Sequence, residues 1–275
     1  MPKTKSMPKT AHKNGPKSKI AAKNPAKASA ARMSLKETMT ALEKAGSAQT
    51  KKTYLRHGAN EPMFGVSFAT LKTLYKRIKV DQELAEALWD TGNFDARNLA
   101  VKIADPASIS PKELDRWAAT PTARMCGGYV AHLAAESPYG REKADKWLKA
   151  KDDPTRYAAW SLVAAMAMID ESTEDAWFAD RLAEIERTIE SAPNVQRYMM
   201  NAAIIAIGCR NAALRKLATA AAKRLGPIEV DHGDTDCKTP IATESIDKAW
   251  AHSKSKGFES PAAHERSRES MRTRC

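Results

Sequence analysis

Ser67–Asp105, SFATLKTLYKRIKVDQELAEALWDTGNFDARNLAVKIAD, is the stretch whose reading decides the fold. Phe68, Leu71, Leu74, Tyr75 and Ile78 fall at helical spacing and make one apolar stripe, with Ser67 placed as N-cap. Asp81 opens a second helix that stops at Gly92, and Asn93 opens a third. Such short links join neighbours that lie antiparallel.

The same pattern continues in both directions. SLKETMTALEKAG begins with the capping box Ser34/Glu37 and ends at Gly46. Ser110 and Pro111 open a helix that runs past Trp117. Further helices are predicted at 122–136, 138–150, 154–169, 173–191, 194–208 and 211–225. Helix pairs recur roughly every 30 to 45 residues, which is the pattern of an α-solenoid. A compact irregular bundle is the alternative. Gly226 and Pro227 end the run, and a last helix is predicted from Thr239 or Pro240, including Ile246 and Trp250.

Composition agrees. The chain has 275 residues, 43% hydrophobic and 28% charged, enough for one or two domains with a core. Only 6% are aromatic while alanine is abundant, which favours close helix packing over a β-sandwich. Cys126, Cys209, Cys237 and Cys275 show no C-x-x-C spacing, so neither a disulfide framework nor a zinc finger is expected. A reducing compartment fits this usage. No run of about 18 apolar residues is present, and the N-terminus lacks the apolar core of a secretory signal. A cytoplasmic, nucleoid-associated protein is expected.

The net charge of +12 is uneven. Residues 1–32 carry +9 with no acid, and residues 251–275 carry +3, so the folded part is neutral. Four segments are expected: a disordered Lys-rich tail over 1–32, a repeat domain over 33–225, a closing loop and helix over 226–252 packed on the solenoid, and a disordered basic tail over 253–275. A polycationic tail binds phosphate backbones without sequence preference; the alternative is a solubilising tail.

Four segments in order carry a family resemblance: NEPMFGVSFATLKTLYKRI (60–78), NFDARNLAVKIAD (93–105), TRYAAWSLVAAMAM (155–168) and VQRYMMNAAIIAIG (195–208). Together they resemble the AlkD-like DNA alkylation repair proteins. The resemblance implies an all-α fold, an α-solenoid of HEAT-like helical repeats with a concave basic face that cradles duplex DNA. Active members of that family excise N3- or N7-alkylated purines with a Trp-x-x-x-Asp pair, an arginine and a further tryptophan. A carboxylate there supports the developing oxocarbenium sugar, and aromatic faces favour the cationic base.

This sequence departs from that chemistry. TPTARMCGGYVAHLA (120–134), where the Trp/Asp pair belongs, contains neither residue. Asp115 and Trp117 lie upstream in reversed order, two residues apart, and project to different helix faces. Arg156 matches the first arginine of its motif, but Tyr157 replaces the functional second one. Arg197 matches, while Asn201 and Ala202 occupy the tryptophan position. No catalytic residue is assigned; Asp115 is the single nominee, for a glycosylase releasing alkylated purines if the chain is an enzyme.

DNA, duplex or branched, is the expected partner of a monomer that needs no cofactor, metal or membrane. Arg97, Arg156 and Arg197, at motif positions in successive repeats, are the foremost backbone-contact candidates, followed by Lys51, Lys52, Lys72, Lys76, Arg124 and Arg210. The other polar constellation is VDHGDTDCKTP, Val230–Pro240. Asp231, His232, Asp234, Asp236, Cys237 and Lys238 mix hard and soft ligands without a second histidine, so a structured closing loop is preferred to a metal or nucleophile site. Against DNA binding stands a second function class, a protein-interaction scaffold holding a peptide in the groove. A hydrolase or metalloenzyme centred on 231–238 is the third.

Overall fold

The structure, a computed structural model, describes residues 32–121 and 124–273, apart from the side chains of Arg124 and Met125. The predicted N-terminal tail lies outside the described residues up to position 31. In order the helices are α1 (Leu35–Ala45), α2 (Ala48–Arg56), α3 (Phe68–Ile78), α4 (Gln82–Asp90), α5 (Phe94–Ile103), α6 (Pro111–Ala119), α7 (Arg124–Glu136), α8 (Gly140–Trp147) and α9 (Asp153–Ile169). They continue with α10 (Asp175–Thr188), α11 (Asn194–Gly208), α12 (Ala212–Leu225), α13 (Ala242–Ser255) and α14 (Pro261–Arg266), and end in a 3-10 turn, Met271–Thr273. No helix among the described residues is long and apolar enough to cross a membrane.

The helices pair as α4/α5, α6/α7, α8/α9, α10/α11 and α12/α13, and the pairs stack into an all-α solenoid. Inner helices α5, α7, α9, α11 and α13 pack in one row, each on the next. Small buried residues such as Ala96, Ala131, Ala158 and Ala203 let their backbones approach. The caps are those the sequence predicts: Ser34, with its full capping box, Ser67, Asp81, Asn93 and Ser110 each accept from a first-turn N–H.

The outer helices are tied by a polar ladder. Trp147 on α8 donates Nε1–H to Asp115 on α6 (2.7 Å), and Trp177 on α10 donates to Asp145 on α8 (2.9 Å). Arg116 on α6 reaches Asp90 on α4 (2.6 Å), and Asn211, at the start of α12, reaches Asp175 on α10 (2.7 Å). The sequence carries this ladder as Asp-x-Trp at 115–117, 145–147 and 175–177, a 30-residue repeat. Trp177→Phe keeps most of the packing and removes one donor to a half-exposed carboxylate, so urea denaturation should show a loss of about 1 kcal/mol. The double variant with Asp145→Ala should cost little more than Asp145→Ala alone; additive losses would mean the bond is not coupling the repeats.

Two segments depart from the sequence expectation. Helix α2 is unanticipated because its nine residues bury only Tyr54 and show no apolar stripe. The tail expected to be disordered from 253 is instead structured through 273. Helix α13 runs to Ser255, Ser260 caps α14 and Arg272 is 5% exposed. It is held by helix-end carbonyls, which hydrophobic patterning does not register. Ala262 N–H donates to Cys209 O beyond α11, and Arg272 donates to Val101 O and Lys102 O in the last turn of α5 (2.9 and 2.7 Å). Ser270 and Arg272 both bind Glu136 at the end of α7. The segment is therefore a strap along the C-terminal ends of the inner helices.

Candidate nucleic-acid interface

One stripe of α9 (Tyr157, Ser161, Ala164, Met168) and one of α11 (Asn194, Tyr198, Ala202, Ala206) line two consecutive clefts on the inner row. The wider cleft, about 880 Å³, is walled by Arg56 of α2 and its C-cap His57 on one side and by Asp231, His232 and Cys237 of the closing loop on the other. The narrower, about 320 Å³, is floored by Tyr129, His132 and Met199 and ends against Met271 of the strap. Shared stripes make the two clefts stretches of one groove.

Asp95, fully buried in the first turn of α5, fixes the α2 wall. Its carboxylate accepts the backbone N–H groups of Phe64, Gly65 and Val66 at 2.7, 3.0 and 2.9 Å. That turn in turn holds α2: Gly65 O accepts Ser47 N–H, and Val66 O accepts the Tyr54 hydroxyl. Gly65 has φ +81°, and a Cβ there would meet Ser47 O at 2.5 Å and Lys51 N at 2.6 Å, so only glycine fits.

The opposite wall hangs on one face of α11. Asn194 exchanges two hydrogen bonds with the Asp231 backbone (2.7 and 2.8 Å), Arg197 reaches Glu229 O, and Asn201 donates to Pro240 O (2.8 Å). Tyr198 meets the His232 ring edge-on at 5.7 Å, and His232 Nε2 contacts Thr239 Oγ1 at 3.0 Å. Asp231 accepts Gly233 N–H, while Asp234, Asp236 and Lys238 are exposed. Among the described residues no three His, Cys, Asp or Glu side chains converge on a common point.

The structure relocates several sequence candidates. Asp115 lies on the outer row, where Lys143, Lys146 and Trp147 all donate to it. Burial pushes its carboxyl up, but those donors outweigh burial and hold it below the ordinary range. It is not among the residues that line either cleft. Trp117 stacks on Trp89 at 4.3 Å in the core, and Trp160 is fully buried. The motif arginines act within the fold, each reaching from an inner helix to the carbonyl end of the preceding outer segment. Arg97 donates to Trp89 O, Arg156 to Leu148 O and Arg197 to Ala192 O. Arg210 is buried, bound to Asp175, Asp170 O and Thr173 O, and stacked over Phe178; it is not a surface cation. Lys51 pairs with Glu61 at 2.8 Å, whereas Lys52 and Lys76 are exposed and Lys72 half-buried. Arg124 begins α7, and its side chain is outside the described residues.

Sequence reasoning does not find Tyr198, because a half-buried tyrosine on an apolar stripe reads as core. Arg56 carries no motif; its place becomes visible only once α2 is positioned by Asp95.

Comparison with known proteins matches this architecture. Uncharacterised proteins of Listeria innocua and Listeria monocytogenes are each 27% identical over 216 residues, 76% of this chain and 94% of theirs. A solved structure from a family related to the HEAT-like repeat DNA glycosylases, with affinity for branched DNA structures, superposes with a TM-score of 0.73 at 33% identity, covering 82% of this chain and 96% of its own. Residues 38–228, which run from within α1 through α12 and include the 64–66 turn held by Asp95, match the DNA alkylation repair enzyme family, and the chain belongs to it.

Proposed function

We propose that the protein binds DNA along the inner groove, by backbone contacts and without excising an alkylated base. The carrying observation is the groove's lining. Where active relatives resemble one another in an arginine, this chain places Tyr157, and the inner faces of α7, α9 and α11 present alanine, methionine, tyrosine and His132. An excising enzyme needs a carboxylate beside the sugar to stabilise the oxocarbenium ion, and the cleft residues of α7, α9 and α11 include none; the carboxylate in the lining, Asp231, belongs to the closing loop. Asp115, the nominee, is engaged on the outer row. Cations on α2, Lys52 and Arg56, one turn apart, supply the phosphate contacts, assisted by the Lys-rich N-terminal segment. Branched DNA is the preferred form, a reading supported by the solved relative's affinity.

The test is anisotropy with a duplex and a three-way junction over a salt series, beside a release assay on a duplex carrying 7-methylguanine. Salt-sensitive binding, tighter for the junction and with no base released, is expected. Lys52→Ala with Arg56→Ala should lower the magnitude of the log–log salt slope by about two, one per phosphate contact. Base release would overturn the non-excising part. Failure to bind either DNA at low salt would overturn the whole reading in favour of a peptide scaffold.

A further inference from the structure

Within that reading, on which this inference rests, the wider cleft is more than a backbone track. We infer that it takes a single unpaired nucleotide, such as a branch point supplies, with the phosphate toward α2 and the base against Tyr157 and Tyr198.

Size, lining and charge each point to this occupant. About 880 Å³ lies in the range of roughly 300–1,000 Å³ typical of sites that enclose a small organic ligand, and a paired base would have to give up a few kcal/mol of pairing and stacking to fill it, a cost an unpaired base does not bear. Two half-buried tyrosines stand on adjacent inner helices, at the same groove-facing stripes. Tyrosine faces stack any base, so such a site reads unpairedness and not sequence. His232, edge-on to Tyr198, fixes one ring and widens the aromatic wall.

The two walls differ in sign. Arg56 and His57 line the α2 side, with Lys52 one turn earlier on the same face. Asp231 lines the loop side. A phosphodiester is attracted to the first and repelled by the second, whereas the amino and imino groups of a base edge can donate to the Asp231 carboxylate. The polarity therefore orients the nucleotide, and the loop's two-way bond with Asn194 keeps the acceptor wall in place. Duplex DNA offers no unpaired base to this cleft and is left with the backbone contacts alone.

The experiment uses the full chain and a three-way junction carrying 2-aminopurine as an unpaired nucleotide at the branch, with a fully paired duplex bearing the same label as control. Binding should quench the junction probe and leave the duplex probe unchanged. Tyr157→Ala/Tyr198→Ala should abolish the quench and weaken junction binding by about tenfold or more, the size of one lost base–aromatic stack, and weaken duplex binding by much less, so that the junction preference is lost. Tyr157→Phe/Tyr198→Phe keeps the faces and should retain both quench and preference, which separates stacking from any loss of fold. Asp231→Asn removes a charge that repels phosphate, so duplex affinity should hold or rise while the junction preference falls. If the wild-type chain binds the junction with no change in probe fluorescence, the nucleotide site is wrong while DNA binding stands. If neither DNA is bound, the underlying reading fails instead.

Discussion

Asp95→Ala is expected to lower the unfolding free energy by about 3–5 kcal/mol, a large share of the roughly 5–15 kcal/mol of a typical domain. The carboxylate is wholly buried, and its three acceptor contacts are to backbone N–H groups of a turn that has no other way to satisfy them. Bonds to a charged acceptor are worth more than neutral ones, and a buried donor left alone costs its full desolvation penalty. Asp95→Asn keeps one acceptor but turns an amide N–H₂ toward N–H donors, so most of the loss should persist. Urea denaturation measures it, and the expected fall in melting temperature is about 10 °C. Hydrogen exchange should show α2 and the 64–66 turn opening first, because Ser47 and Tyr54 are bound to that turn. The α2 wall of the groove would loosen with it, so DNA binding should weaken at temperatures where the rest of the chain is folded. A loss below 1 kcal/mol would show that the turn holds its shape without the carboxylate.

How much of this was legible in the chain depends on the kind of interaction. Helices with an apolar stripe and a polar cap announce themselves: Ser34 with Glu37, Ser67, Asp81 and Asn93 all cap where the spacing predicts. The Asp-x-Trp ladder is also in the sequence, yet its period of 30 residues is far outside a helical window, so amphipathic patterning passes over it. The motif arginines were legible as special, but their place within the fold was not. A guanidinium near the start of an inner helix looks like a phosphate ligand, but here it faces the carbonyl end of the segment before it. The groove was the least legible part. Its walls come from residues 52–58 and 231–237, far apart in the chain, and one is a helix with a single buried residue. Asp95, through three backbone bonds, fixes the turn on which the first of them rests.

Ending the chain after Gly257 separates the two readings of its C-terminus most sharply. If 258–275 were a loose basic tail, its removal would change stability by less than about 0.5 kcal/mol, as for surface changes generally. The structure predicts a loss of about 4 kcal/mol or more. Arg272, with 6% of its side chain exposed, pairs with Glu136 at 2.8 Å and donates to two carbonyls of α5, and removing one member of a buried ion pair alone costs about 3–5 kcal/mol. Lys102, itself fully buried over the Tyr129 ring at 4.0 Å, loses the Arg272 carbonyl that accepts from its ammonium at 2.9 Å. Pro261 and Ala262, both buried, leave their places against α9 and the end of α11. Arg272→Ala in the full chain should reproduce most of the loss, whereas removing Arg274 and Cys275 alone should not. Because Met271 closes the narrow end of the groove, the truncation also opens it there. Junction binding measured at a temperature where the shortened chain stays folded should persist, since the tyrosine cleft lies at the other end. A shortened chain as stable as the parent would return the strap to the status of a tail.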